Sequence, residues 1–166
     1  DAAFMTIPML GSGIASSTLA ATLLYEVLSD NPSLSVDNLW RYQVAFYREC
    51  GAKNCAVDVL KRWILNAPNK DIRFLFDKRV LTSEDMKRAS IGEFVVIDAK
   101  SIKQKIKVGY KRLDLLIRVG FAVFRAQCAY KRALKIPKEF NRRKIINWER
   151  QLNMYFKNPK VEESPV

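Results

Sequence analysis

The sequence contains no histidine. Histidine supplies the commonest general acid–base group and a frequent metal ligand, so its absence excludes Ser-His and Cys-His catalytic pairs and His-ligated metal sites. Only three cysteines are present, and the spacing of Cys50, Cys55 and Cys128 matches neither a zinc cluster nor a CxxC redox pair. We therefore expect no metal site, and we interpret the cysteines as structural, either as buried thiols or with one disulfide.

No charged residue occurs between Ala2 and Tyr25. A membrane span or a signal peptide would explain such a run, but neither fits. No basic segment precedes the run, and Pro8, Gly11 and Gly13 interrupt what would have to be a continuous apolar helix. We expect the segment to be buried inside a protein.

Charge is abundant later in the chain and is distributed unevenly. The 166 residues carry a net charge of +12, yet residues 1–100 hold 12 basic and 12 acidic residues, whereas residues 101–166 hold 17 and 5. A basic block of this kind can attract nucleic acid, anionic lipid headgroups or a phosphorylated substrate. With 49% hydrophobic and 28% charged residues, the composition is that of a single folded domain.

Hydrophobic periodicity predicts a mainly α fold with little or no sheet. The helices are expected at residues 13–28, 35–51, 53–65, 71–81, 105–136 and 138–156. Asn31 and Pro32 end the first helix, and we place a domain boundary there. Ser35 or Asp37 is expected to cap the second helix, and Gly51 is expected to end it.

Two short segments after the fourth helix carry local signals. Thr82 and Asp85 have the spacing of a capping box at the start of a further helix. The run FVVI at 94–97 is compatible with a strand or with a buried helical turn.

The strongest periodic pattern lies between residues 105 and 136 and predicts a long amphipathic helix. Its apolar residues recur every three or four positions: Leu113, Ile117, Phe121, Phe124 and Cys128. Its basic residues recur every seven positions on another face: Lys111, Arg118, Arg125 and Arg132. This cationic row is compatible with a solvated helix face, with contact to an anionic membrane surface or another anion, or with nucleic acid.

The opening residues resemble the second flavin-binding signature of FAD-dependent oxidoreductases. The order is Asp1-Ala2-Ala3, then Pro8, then Gly11-Ser12-Gly13-Ile14 leading into a helix rich in small residues. In that family a glycine precedes the aspartate. Here that glycine would stand immediately before position 1, so the resemblance implies that the chain starts inside a longer polypeptide.

Physical chemistry independently supports a flavin-facing role for this segment. A carboxylate such as Asp1 can accept hydrogen bonds from ribityl hydroxyl groups, and Gly11 and Gly13 leave room for the backbone to approach a bulky ring. The helix that starts near Gly13 directs free N–H groups and the positive end of its dipole at the flavin, whose pyrimidine side becomes anionic when reduced.

Two later segments resemble the C-terminal helical part of archaeal geranylgeranyl reductases. They are LWRYQVAFYRECGAKNCAVDVLKRWIL and, after it, VLTSEDM. The resemblance covers roughly residues 1–92. It implies an FAD enzyme of two-domain α/β architecture, in which reduced flavin delivers hydride to C=C bonds of a polyprenyl lipid held in an apolar channel. It also implies a cytoplasmic location, with the protein peripheral to the inner face of the membrane.

The resemblance assigns roles and regions to this chain. The FAD contacts are Asp1, Pro8, Gly11, Ser12, Gly13 and Ile14. Phe4, Met5 and Ile7 either line the substrate channel or belong to the core. Residues 1–31 complete the FAD-binding domain, residues 32–157 form the helical substrate region, and residues 158–166 form a frayed tail.

The resemblance leaves some features open. The N-terminal GxGxxG half of the family is missing from this sequence and is the expected partner, so we expect no activity from this chain alone. No catalytic residue can be named. The aromatic residues Trp40, Tyr42, Phe46, Tyr47 and Trp63 either belong to the core or line a prenyl pocket.

Two other interpretations of the function remain. Aromatic-ring hydroxylases and halogenases share the opening flavin signature. The basic C-terminal third alternatively indicates a stand-alone helical module that binds nucleic acid or another anion.

Overall fold

The computed structural model describes residues 13–82 and 109–156. These residues form α1 (Gly13–Asp30), α2 (Val36–Phe46), a π-helical turn (Tyr47–Gly51), α3 (Ala52–Asn66), α4 (Asn69–Asp77), a 3₁₀ turn (Tyr110–Arg112), α5 (Leu113–Ala133) and α6 (Arg142–Asn153). No strand occurs in these two ranges, so the mainly α prediction is confirmed. The proposed capping box extends beyond the described residues, and FVVI and residues 158–166 lie outside them.

The turn between α1 and α2 is held by one buried side chain. Asn38 donates hydrogen bonds from its amide nitrogen to the carbonyls of Asn31 (2.8 Å) and Ser33 (2.9 Å). Ser35 rather than Asp37 caps α2, because its hydroxyl oxygen accepts a hydrogen bond from the Asn38 backbone N–H at 3.3 Å. The predicted helix stop is therefore confirmed, while the domain boundary at this turn stays a prediction.

The predicted end of the second helix at Gly51 is wrong. The chain passes from α2 through the π-helical turn into α3 without leaving helical conformation, and Gly51 has φ −58° and ψ −37°. A Cβ at this buried position would lie 3.2 Å from the rings of Phe46 and Tyr47. The glycine makes room for two aromatic rings and does not terminate the helix.

Short side chains dominate the most extensive helix contact, which joins α3 to α5. The buried residues of α5 are separated by three, four or seven positions, as one face of a helix requires, and all but the first are alanines: Leu115, Ala122, Ala126, Ala129 and Ala133. On α3 they meet Ala56 and Val59. Side chains this small allow two helix backbones to approach closely.

Aromatic side chains fix α6 and the loop before it. Trp148 donates from Nε1 to the Arg132 carbonyl at 3.0 Å, and its ring packs edge to face on Tyr47 at 5.1 Å between ring centroids. Trp40 donates from Nε1 to the Pro137 carbonyl at 2.8 Å. Phe46 and Tyr47 are buried, as expected of core aromatics.

The last helix is shorter than predicted. It begins at Arg142 because the Asn141 side chain caps it by accepting a hydrogen bond from the Lys144 N–H at 3.1 Å. It ends at Asn153, three residues before the predicted end at Phe156.

Candidate functional site

Of the predicted flavin contacts, only Gly13 and Ile14 lie within the described residues, in the first turn of α1. Asp1, Pro8, Gly11 and Ser12, together with the predicted channel residues Phe4, Met5 and Ile7, lie outside the described residues. Gly13 and Ile14 begin α1, and the Ile14 side chain is 86% exposed. No acidic residue stands in this turn, so nothing on the helix neutralises the positive end of its dipole. Within the described residues, the start of α1 therefore carries no acidic side chain that would compete with an anionic group for its N–H groups.

The same end of α1 is anchored over the π-helical turn. Ser16 is buried, and its hydroxyl lies 3.8 Å from the Cys50 sulfur. Asn54 donates from its side-chain nitrogen to the same sulfur at 3.3 Å. Sequence reasoning did not find this cluster, because the three residues are separated along the chain and nothing in their spacing marks them as neighbours.

The three cysteines are free thiols, so the disulfide alternative is wrong. Cys50 contacts Ser16 and Asn54 instead of Cys55. Burial, together with the nearby Asp58 carboxylate, raises the pKa of the Cys55 thiol to about 12. Cys55 is therefore protonated at neutral pH and is not a nucleophile.

Most of α1 is not covered within the described structure. Of its residues only Ser16 and Ala20 are buried, and its main contact is with α2. The hydroxyl groups of Thr18 and Thr22 donate to the carbonyls of Ile14 (3.0 Å) and Thr18 (3.1 Å), so they are satisfied within the helix. The described part of the uncharged segment thus presents a surface of mostly small uncharged side chains, with exposed Ile14 and Tyr25 at its ends, although we expected it to be buried.

The predicted cationic row is divided between different environments. Arg118 pairs with Asp71 (2.9 Å) and Asp114 (3.2 Å), and Arg125 donates to the Met154 carbonyl at 3.1 Å. Lys111 is exposed, but it lies in the 3₁₀ turn and not on the α-helical row. Arg132 is half-buried, and its carbonyl accepts the Trp148 hydrogen bond. At least Arg118 and Arg125 therefore take part in the packing of the fold.

Asp71 and Asp114, the two carboxylates that bind Arg118, form part of an ion network between α4 and the start of α5. Asp71 is only 1% exposed and also accepts a hydrogen bond from Arg112 at 3.0 Å. Burial acts to raise the pKa of Asp71, but the hydrogen bonds and charges of Arg112 and Arg118 outweigh it and lower the pKa. Hydrogen bonding from Arg112 lowers the pKa of Asp114 to about 2. Both carboxylates stay ionised, and the network fastens α4 to α5.

Four large apolar residues of α5 are exposed, although the predicted amphipathic pattern would place them against a core. We call them the α5 apolar stripe: Leu113, Ile117, Phe121 and Phe124. Their exposed fractions lie between 55% and 71%. Cys128, the last residue of the predicted row, is half-buried.

Residues 13–82 and 109–156 contain no group of three or more Cys, Asp or Glu side chains that could hold a metal ion. Within the same ranges, no helix has the length and apolar character needed to cross a bilayer.

Comparison with known proteins adds a relationship that the geometry alone does not supply. The chain is similar to a digeranylgeranylglycerophospholipid reductase. The similarity to this protein of Sulfolobus acidocaldarius is 24% identity over 122 residues, which cover 72% of the chain and 27% of the reductase. The matched region thus spans just over a quarter of that relative's length. No protein-family model and no solved structure matches the chain.

Proposed function

We propose that this chain is the C-terminal helical part of a flavin-dependent reductase that hydrogenates C=C bonds of geranylgeranyl lipids. The observation that carries the proposal is the similarity to the digeranylgeranylglycerophospholipid reductase. The opening signature supports it, because Asp1, Pro8, Gly11 and Ser12 precede a helix that begins at Gly13.

The described residues fit a flavin at the start of α1. The first turn is open and carries no carboxylate, and the residues after Ile14 have small side chains that would not obstruct a ring. The N–H groups of Gly13 and Ile14 would face the pyrimidine side of the ring, with the residues before them holding the remainder. FAD, when bound and reduced, would supply the hydride that adds to the prenyl double bond.

The lipid and its route to the flavin form the finer part of the proposal. Phe4, Met5 and Ile7 are proposed to line the channel. The exposed surface of α1 is proposed to pack against the flavin-binding half of the same polypeptide, since small uncharged side chains suit close helix packing. Residues 1–31 then belong with that half, and residues 32–157 form the substrate region.

The test is to express the reading frame extended upstream of Asp1 and to examine the purified product. We expect bound FAD, seen as a yellow protein, and a gain of H₂ for each double bond of a geranylgeranyl glycerophospholipid, read by mass spectrometry. A full-length product that folds and takes up no FAD would overturn the proposal. Uptake of FAD with hydroxylation or halogenation of an aromatic compound, and no reduction of the lipid, would assign the protein to another flavoenzyme class.

A charge substitution at the open turn tests the position of the flavin. Ile14→Glu places a carboxylate near the proposed pyrimidine side and should lower the reduction potential of the bound flavin, because the reduced ring is anionic. Ile14→Gln is the matched control, since it has nearly the same size without the charge. Equal potentials for the two variants would contradict the placement at Gly13 and Ile14.

A further inference from the structure

The α5 apolar stripe is a continuous row of large side chains on one face of a helix. Leu113 and Phe124 are eleven positions apart, so the row is about 16 Å long at the rise of an α-helix. The opposite face of α5 carries the buried alanines and contacts α3. Aligned apolar residues with this exposure indicate a surface that contacts something other than water.

Beyond Asp114, which follows Leu113 and is paired with Arg112 and Arg118, the charges along the stripe are of one sign. Residues 115–136 contain five lysines and arginines and no aspartate or glutamate. Lys131 stands seven positions after Phe124, so it lies on the same face two turns beyond the stripe, and it is exposed. Lys111 is exposed just before the stripe begins. A row of aromatic and aliphatic side chains with cations at both ends is complementary to an anionic lipid surface.

We propose that the α5 apolar stripe is a membrane-contact surface, on which α5 lies parallel to an anionic bilayer. The phenylalanine and isoleucine side chains enter the boundary between headgroups and acyl chains, and Lys111 and Lys131 contact the headgroups. A protein partner would account for the apolar row but would not require the exposed lysines at both of its ends. The inference rests on the proposed function for the source of the lipid, but the binding itself requires neither flavin nor turnover.

Co-sedimentation with lipid vesicles tests the proposal. The 166-residue chain is expected to bind vesicles that contain phosphatidylglycerol and phosphatidylcholine, to bind pure phosphatidylcholine more weakly, and to lose affinity as salt is raised. The double variant Phe121→Ser/Phe124→Ser should reduce the partition coefficient at least about tenfold, because it removes two aromatic side chains from the inserted face.

A matched control distinguishes loss of the stripe from a general loss of exposed apolar surface. Leu34 and Leu65 are each 73% exposed and belong to the loop before α2 and to α3, not to the stripe. The variant Leu34→Ser/Leu65→Ser should bind vesicles like the unmodified chain. Equal loss in both double variants, or no loss in the phenylalanine variant, would overturn the assignment of the stripe.

Two further measurements test whether the stripe is covered instead by the rest of the molecule or by a second copy of the chain. The urea midpoint of Phe121→Ser/Phe124→Ser should match that of the unmodified chain, and a large decrease would show that the stripe packs within the molecule. Sedimentation velocity without lipid should give the same mass for both proteins. A dimer that is lost only in the variant would make the stripe a self-association surface and overturn the proposal. Failure of the extended protein to bind FAD leaves the vesicle result unaffected, so the two proposals fail separately.

Discussion

Substitution of alanine and phenylalanine residues on α5 tests which face of this helix is buried. Ala126 is 0% exposed and packs with Ala56 and Val59. Ala126→Leu adds three carbon atoms to a contact that has no room for them, so the free energy of unfolding should fall by about 1–3 kcal/mol. Phe124 is 61% exposed, and Phe124→Ala should change the free energy of unfolding by no more than about 0.5 kcal/mol. Alanine also favours the helix over phenylalanine, which opposes any small loss.

The measurement is urea unfolding followed by far-UV circular dichroism, with the midpoint compared at an unchanged slope. In a chain of this size each kcal/mol also corresponds to about 2–4 °C in melting temperature, so the Ala126→Leu effect should be visible in a thermal scan. The reasoning predicts that the small-to-large change on the alanine face costs more than loss of a whole phenyl ring. If Phe124→Ala were strongly destabilising and Ala126→Leu neutral, α5 would be rotated by about half a turn from the orientation described.

Three further outcomes follow from the described contacts. The pKa of Asp71 is lowered in the folded state, so its stabilising contribution is present above the ordinary carboxyl pKa of about 4 and is lost as the pH falls through the lower folded-state value. Asp71→Asn should therefore make the melting temperature fall less steeply as the pH is lowered. An unchanged fall would contradict the pairing with Arg118. Cys55 should react with a thiol reagent only when the protein unfolds, whereas half-buried Cys50 should react in the native state, so native labelling should fall in Cys50→Ser and not in Cys55→Ser. Trp148→Phe leaves the carbonyl that accepts its Nε1–H without that donor and should lower the free energy of unfolding by about 1–3 kcal/mol in urea titration; no change would show that water replaces the indole.

The positions of the helices were largely predictable, because they depend on local signals. Ser35 caps α2 as its residue type and position indicate, and Asn31 and Pro32 separate two helices as expected. Gly51 shows the limit of such signals. A glycine at a helix end and a glycine under two aromatic rings look alike in sequence, and only the packing of Phe46 and Tyr47 distinguishes them.

The buried face of α5 was not predictable from periodicity. Two rows with helical spacing occupy opposite sides of the same helix: one of alanines, and one of phenylalanine, isoleucine and leucine. Hydrophobicity favours the second row as the core, yet the first is buried, because α3 presents Ala56 and Val59 and fits only short side chains closely. The partner helix decides the choice, and its position depends on the three-dimensional fold.

The candidate site was only partly accessible from sequence for a similar reason. The predicted flavin signature is a local motif of nearby residues, so sequence alone can suggest it, and it stays a prediction. The contacts of Cys50 with Ser16 and Asn54 join α1 to the π-helical turn and depend on the tertiary fold. Arg118 appeared to belong to a free cationic row, and only the folded structure brings the buried Asp71 to it.

The exposed faces of α1 and α5 differ in a way that separates the two proposals. The face of α1 combines small side chains with an absence of charge up to Glu26, which favours close contact with another protein surface and provides nothing to attract an anionic bilayer. The face of α5 has large flexible and aromatic side chains with exposed cations at both ends, which suits a fluid lipid boundary better than a close-packed helix contact. Charge reversal should therefore act on one face and not the other: Lys131→Glu should weaken vesicle binding and leave assembly with the flavin-binding half intact. Disruption of that assembly by Lys131→Glu would mean that α5, and not α1, faces the proposed flavin-binding half.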